Sequence, residues 1–346
     1  MSIVTIIGAG VMGSALCWPL ADNNHTVRLV GTPLDDDIIR SLNETRIHPK
    51  HQRELPPFVQ PYFVDDLPRA LEGADLVVSG VSSFGVHWFA SQAGRHFTPG
   101  TPVISVTKGL FDQPDGRLLT VPQAEDAWLP DGLKGKIPLH AIGGPCIAQE
   151  LAARRHTGVV FCGQDARLLN WIAGLFRTEY YHAQTSTDPI GVEACAALKN
   201  AYAMGINLVV GEHEAKGPNG LANRFNPQAA LFAQSLVEMH KMVEWMGGDG
   251  NLVYQLPGAG DLYVTVFAGR TARLGRLLGK GYSFAEARLE MAGETLEAVE
   301  IINSTARAIT VLAEAGKASW QEYPLLRHMA NLLQGIPSEI PWNQMA

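Results

Sequence analysis

The sequence predicts an α/β domain followed by an all-helical one. An N-terminal Rossmann-like doubly wound sheet is expected over residues 1–187, with a helical substrate-binding domain over 188–346. Three observations predict this. A β-branched apolar run, IVTII at 3–7, leads straight into GAGVMGSA, a Gly-x-Gly-x-x-Gly on Gly8, Gly10 and Gly13. Short apolar runs alternate with helical stretches and glycine turns through the first half. From about Asp188 the strand-like runs stop and long helical stretches take over.

The first strand is almost wholly apolar, as a strand buried on both faces of a parallel sheet must be. In the turn after it, Gly8 makes the tight bend, Gly10 admits a pyrophosphate to the backbone, and Gly13 lets helix and strand pack closely. The pyrophosphate would then meet the unsatisfied N–H groups of the helix start. A helical stretch, SALCWPLADN, and a second strand, TVRLV at 26–30, complete the unit. That context, more than the glycine spacing, makes this a dinucleotide-binding motif. Beyond the second strand come Gly31-Thr32-Pro33-Leu34 and then Asp35-Asp36-Asp37, with no arginine at the turn. The carboxylates would repel a 2′-phosphate, so NAD is the expected cofactor and NADP the alternative. The competing reading of the acid run is a helix start, which acids favour.

Further strands are expected in ADLVVSGVSS (74–83), PVISVTKGL (102–110), LHAIGGPCIAQEL (139–151, running into a turn and helix) and GVVFCG (158–163). Ligands bind beyond the carboxyl ends of such strands, where Ser82, Lys108 and Pro145-Cys146 fall. Cys146 has no histidine within its local motif to activate it as a nucleophile.

In the second half, DPIGVEACAALKNAYAMGINLVVG opens with an acid and a proline, as helix starts do. Long helical stretches follow at 227–247, 262–281, 284–293 and 295–316. Within the first of these helices lies EACAALKNAYAMG, apolar on nearly every face, with Lys199 at its centre. A buried ammonium without a partner is costly or loses its proton. Lys199 therefore either snorkels to solvent or serves chemistry.

Composition narrows the function classes. The 346 residues allow two domains with their own cores. The net charge is −7 with no lysine- or arginine-rich block, which argues against a nucleic-acid partner. The four cysteines, Cys17, Cys146, Cys162 and Cys195, have neither zinc spacing nor a CxxC, so no metal is expected and reduced thiols are. The N-terminal MSIVTIIGAG lacks the basic region and cleavage pattern of a signal peptide, and its apolar run is too short to span a bilayer. The expectation is a soluble, cytoplasmic protein without a membrane partner.

Five motifs now stand together: GAGVMGSA (8–15), SVTKGL (105–110), GGPCIAQEL (143–151), ALKNAYAMG (197–205) and GAGDLYVT with GRTARLGRLLGKG (258–281). Over roughly residues 3–330 the chain resembles the cytosolic NAD(P)-dependent sn-glycerol-3-phosphate dehydrogenase family. The resemblance implies Lys199, Lys108 and Asp261 as catalytic residues. It implies Gly8, Gly10, Val11, Met12, Gly13, Ser82, Ala148 and Glu297 at the cofactor. It implies Lys108, Asn200, Thr265, Arg270 and Thr271 at a phosphorylated substrate, and a homodimer by analogy alone. Ketone reduction needs a hydride on carbon and a proton on oxygen, and a lysine ammonium can supply the proton. Arginine offers a donor fork suited to phosphate.

The chain departs from the family pattern at Cys146 (Ser or Thr), Gln234 (Arg), Thr271 (Asn) and Ala298 (Gly). Dihydroxyacetone phosphate and sn-glycerol 3-phosphate are the expected substrate pair. Another polyol phosphate or keto substrate on the same fold, and a non-catalytic nucleotide sensor, stay open as alternatives.

Overall fold

A computed structural model describes residues 1–217 and 224–345. The chain divides into two compact units, Met1–Lys108 with Val121–Glu193, and Gly109–Thr120 with Ala194–Ala346.

The first unit is built on an eight-stranded sheet. Its strands are β1 (Ile3–Ile7), β2 (Thr26–Val30), β3 (Val59–Tyr62), β4 (Leu76–Ser79), β5 (Val103–Ser105), β6 (Leu139–Gly143), β7 (Thr157–Cys162) and β8 (Tyr181–Ser186). They lie in the order β8-β7-β6-β5-β4-β1-β2-β3. Pairing is parallel from β3 across to β6, antiparallel between β6 and β7, and parallel again between β7 and β8. The order reverses at β1, with β2 on one side of it and β4 on the other, the crevice at which open α/β sheets bind ligands. The two outermost strands carried no apolar signal. β3 contains Pro61, and β8 alternates buried and exposed residues, as edge strands tolerate.

The glycine turn leads into the short helix α1 (Val11–Ala15). Gly8 has φ +115°, open only to glycine at ordinary cost, and a Cβ there would collide with the Gly80 backbone after β4. A Cβ on Gly13 would strike the Gly8 carbonyl. Strand, turn and helix therefore touch through backbone alone. Helix α2 (Asp36–Thr45) has Asp36 and Asp37 in its first turn, so these two acids sit where the helix dipole favours them. A further helix, α3 (Val121–Trp128), follows the excursion into the second unit.

The second unit is helical. Helix α4 (Pro189–Ala215) starts within the first unit, and from Ala194 to Val210 almost every side chain is buried, as its apolar faces require. After it come α5 (Phe225–Trp245), a π-turn (Leu256–Gly260), α6 (Asp261–Phe267), α7 (Arg270–Gly279), α8 (Glu297–Glu314) and α9 (Pro324–Leu333). The expected helix at 262–281 is two helices. Ala268 is extended and Gly269 takes φ +93°, which breaks the ladder between α6 and α7.

Helix α7 packs against α4 through glycine. A Cβ on Gly275 would collide with the Met204 carbonyl, one on Gly279 with the Leu208 carbonyl, and one on Gly211 with the Arg276 carbonyl. The glycines of GRTARLGRLLGKG thus serve contact between helices.

The unit boundary differs from the one expected at 187/188. It falls one turn inside α4, and the hairpin of Leu110–Asp112 and Leu118–Thr120 belongs with the helices. Asp112 accepts two bonds, of 2.8 and 2.7 Å, from the Arg307 guanidinium on α8, a bidentate tie that sequence position could not reveal.

Gln234, which departs from the family pattern, has a structural partner. It donates to buried Glu238 at 2.9 Å. Glu238 also accepts from Tyr202 Oη at 3.0 Å and from the Leu325 and Leu326 N–H groups at 2.7 and 3.0 Å, filling the start of α9. Burial still pushes the Glu238 carboxyl upward.

Candidate active site

In the first unit the turn after β1 faces a cavity of about 400 Å³, lined by Gly8, Gly10, Thr32, Asp35, Ser82 and Trp88 among others. A Cβ added to Gly10 would meet nothing within 4 Å, so the backbone there is open to a ligand. Open backbone at a helix start, beside a cavity of this size, fits the pyrophosphate of a dinucleotide. Gly8, Gly10 and Ser82 of the expected cofactor set line this cavity; Val11, Met12 and Gly13 continue into α1, with Gly13 buried. Ala148 lies apart from the lining, buried at the first position of the helix Ala148–Ala152.

Asp35 does not share the helix-start role of its two acidic neighbours. Its Oδ2 accepts from the Thr32 N–H at 2.9 Å, the Thr32 hydroxyl at 2.7 Å and the Ala9 N–H at 3.2 Å. The acid is thereby fastened to both the glycine turn and the end of β2. Lys108 follows β5, half-buried, and its Nζ donates to the Gly144 carbonyl at 3.3 Å. That carbonyl belongs to the Gly-Gly-Pro turn after β6, so two of the five motifs meet here. Cys146 in the same turn is half-buried and forms no disulfide.

In the second unit, Lys199 is buried on α4. Its Nζ lies 3.0 Å from Asp261 Oδ1, and the two side chains are only 9 % and 2 % exposed. It also donates to Thr265 Oγ1 at 2.6 Å. The Thr265 hydroxyl hydrogen goes to the Asp261 carbonyl at 2.7 Å, which leaves an oxygen lone pair turned to the ammonium. Asp261 and Thr265 are one turn apart on α6 and so share a face. The snorkelling alternative for Lys199 does not hold, because the side chain is 9 % exposed and its ammonium is held by Asp261 and Thr265.

The sequence explains how Asp261 reaches this position. The π-turn before α6 has the Gly260 N–H bonded five residues back, to the Gln255 carbonyl at 3.1 Å. Gly258 within it abuts Val253 so closely that a Cβ would collide with that residue's backbone. Such turns are rare and mark functional positions.

Asn200 follows Lys199 and is 5 % exposed. Arg270 and Thr271 open α7, and the Arg270 guanidinium is 4.0 Å from Glu297 at the start of α8. Of the expected residues in this unit, Lys199, Asp261 and Thr265 meet in one hydrogen-bonded group, and Arg270 meets Glu297. His48, His51 and Ser14, which hold the glycine turn from behind, escaped sequence reading; their one signal was HPKH at 48–51. Among the described residues no cluster of His, Cys, Asp or Glu could hold a metal, and no helix is long and apolar enough to cross a membrane.

Comparisons with known proteins agree along the chain. The family models for the NAD-dependent glycerol-3-phosphate dehydrogenase N-terminus and C-terminus match residues 3–169 and 188–338. The NADP(+)-dependent glycerol-3-phosphate dehydrogenase of Archaeoglobus fulgidus is 37 % identical over 299 residues, 86 % of each chain. A glycerol-3-phosphate dehydrogenase (NAD(P)+) of Bacillus pumilus is 31 % identical over 86 % of this chain and 82 % of its own. Among solved structures, glycerol-3-phosphate dehydrogenase from Coxiella burnetii superposes with a TM-score of 0.79 at 24 % identity, covering 99 % of this chain and 97 % of that one. A ketopantoate reductase from Ralstonia eutropha shares the fold at a TM-score of 0.58 and 16 % identity, covering 99 % of both chains.

Proposed function

Because the chain belongs to the NAD-dependent glycerol-3-phosphate dehydrogenase family, we propose that it interconverts dihydroxyacetone phosphate and sn-glycerol 3-phosphate, with Lys199 moving the proton. The observation that carries this reading is the buried group of Lys199, Asp261 and Thr265. A nicotinamide cofactor, when bound, supplies or accepts the hydride. In ketone reduction Lys199 gives a proton to the carbonyl oxygen, and in alcohol oxidation it takes one back. Asp261 offsets the ammonium charge and, with Thr265, fixes where it points, so little reorganisation is needed as the oxyanion develops. Lys108 takes the part of the second active-site lysine that the family resemblance implies. Arg270, Thr271 and Asn200 hold the substrate phosphate, the arginine through its fork of donors.

The cofactor reading is NAD(H) in preference to NADP(H). Asp35 lines the cavity beside the glycine turn, and no lysine or arginine stands among the residues lining it. A 2′-phosphate there would face a carboxylate without a compensating cation. The archaeal relative is named for NADP(+), so this preference belongs to the chain and not to the family. A cytoplasmic homodimer completes the proposal, supported by analogy alone.

The test is nicotinamide oxidation by the purified protein with dihydroxyacetone phosphate, run with NADH and NADPH. Turnover at sub-millimolar substrate that is lost in Lys199→Ala, while NADH still binds, supports the proposal. Tight NADH binding without turnover overturns the substrate assignment, and a better rate with NADPH overturns the cofactor preference.

A further inference from the structure

The glycine turn is held from behind by two histidines. His48 Nε2 is 3.0 Å from the Ala9 carbonyl, and His51 Nε2 is 2.9 Å from the Val11 carbonyl. Between them the Gly10 carbonyl accepts from the Ser14 hydroxyl at 2.7 Å. Three consecutive carbonyls of the turn are thus each bound by a side chain. The imidazole protons follow from the network. His48 Nδ1 faces the Lys50 and His51 N–H groups, at 3.2 and 3.3 Å, so it accepts and Nε2 carries the hydrogen. His51 Nε2 faces a carbonyl, which only accepts, so it too carries the hydrogen, and its buried Nδ1 has no partner.

The pair is built into the fold. His48 is fully buried and His51 is 7 % exposed. Their rings lie 4.6 Å apart, and Trp18 stands edge-on to His51 at 5.3 Å. The segment carrying them turns sharply at each side, with Arg46 at φ +61° and Gln52 at φ +53°.

We propose that His48 and His51 are positioning residues for the dinucleotide. In a trans peptide the C=O and the next N–H point opposite ways. Holding the Ala9 carbonyl inward turns the Gly10 N–H outward, and holding the Val11 carbonyl does the same for Met12. These are the donors a pyrophosphate at this turn would use. The clamp fixes their direction before the cofactor arrives, so binding does not have to order the loop. The inference rests on the turn being the pyrophosphate site.

The experiment measures the NADH dissociation constant of the full-length protein by fluorescence titration, together with steady-state kinetics. His51→Phe keeps a ring and loses the donor. It should weaken NADH binding about tenfold and raise the KM for NADH to match, with kcat and the KM for dihydroxyacetone phosphate within about twofold. His51→Gln, whose amide can donate to the Val11 carbonyl, should recover most of the affinity. NADH affinity within twofold of the parent in folded His51→Phe overturns the clamp, as does equal loss on every kinetic constant. Should the phenylalanine variant not fold, His48→Gln and His48→Leu make the same comparison at Ala9, and equal affinity in these two overturns it. Gly10→Val separates the underlying reading: its side chain projects into open space and should abolish NADH binding in a folded protein. Unchanged binding there means that the turn is not the cofactor site, and the clamp falls with it.

Discussion

Lys199 and Asp261 lie 3.0 Å apart with both side chains at least nine-tenths buried, one carried by a helix of the apolar second half and the other by the turn of helix that follows a π-turn. Charges so enclosed are a poor source of stability but a costly thing to break, because removing one leaves the other buried and uncompensated. Lys199→Ala is expected to cost about 3–5 kcal/mol of stability and to lower kcat by at least about 10²–10⁴-fold. Replacing both residues, as Lys199→Met with Asp261→Leu, should recover much of the stability and none of the activity. Denaturation midpoints and turnover of the single and double variants check this. A double variant less stable than both singles would contradict it.

Arg270 is expected to act on the phosphate and not on the reacting carbon. Arg270→Ala removes charge-assisted hydrogen bonds worth about 1.5–3 kcal/mol, so the KM for dihydroxyacetone phosphate should rise about 10- to 150-fold. The rate with unphosphorylated dihydroxyacetone, measured as kcat/KM, should barely move. Equal losses on both substrates would place Arg270 in some other role.

Gly279 meets the Leu208 carbonyl with no room for a methyl group. Gly279→Ala should therefore destabilise the protein by about 1–3 kcal/mol or more, as overpacking does. Helix propensity alone would predict a gain of nearly 1 kcal/mol from the same change. The sign of the shift in urea midpoint decides between the two.

Burial pushes the Glu125 carboxyl up to about 8, with the nearby Ser79 hydroxyl a smaller opposing influence. Glu193 is buried beside it and raised for the same reason, further by the Glu125 charge and less by the opposing pull of Lys108. The sign follows from linkage. Folded Glu125 holds its proton while the unfolded chain loses it near pH 4.5, so the stability present in acid is lost as pH rises from there to about 8. Glu125→Gln mimics the protonated form. It should stabilise the protein by about 3 kcal/mol near pH 7 and by almost nothing at pH 4. Thermal unfolding across that range checks it, and a benefit that shrinks as pH rises would refute it.

The sequence exposed the parts whose chemistry is local. IVTII followed by the glycine turn showed a buried strand and a turn of bare backbone beside a cavity within a dozen residues, because the requirement for missing side chains is written into the chain itself. Lys199 stood out because an apolar helix has no ordinary use for an ammonium. Its partner could be named only through resemblance, since Asp261 is brought to it by folding across sixty residues. The edge strand at 59–62 was illegible because an edge imposes little apolar demand. His48 and His51 were illegible for a different reason: they act on carbonyl groups, which every residue has, so no complementary motif marks their targets. The helix at 262–281 read as continuous because Gly269 is tolerated in a helix, and only its positive φ shows that the ladder stops there.

The π-turn at Leu256–Gly260 makes the site sensitive to backbone winding more than to chemistry. It holds one residue more than a regular turn. Deleting Ala259 would let Gly260 bond the same Gln255 carbonyl as in an ordinary α-helix and keep Asp261 in register, whereas closing the intact segment as an α-helix would swing Asp261 about 100° around the axis, away from Lys199. No residue that touches the ammonium would have changed. For this enzyme a change that only tightens that turn would undo the site, and a library of substitutions confined to the residues touching the ammonium would miss it.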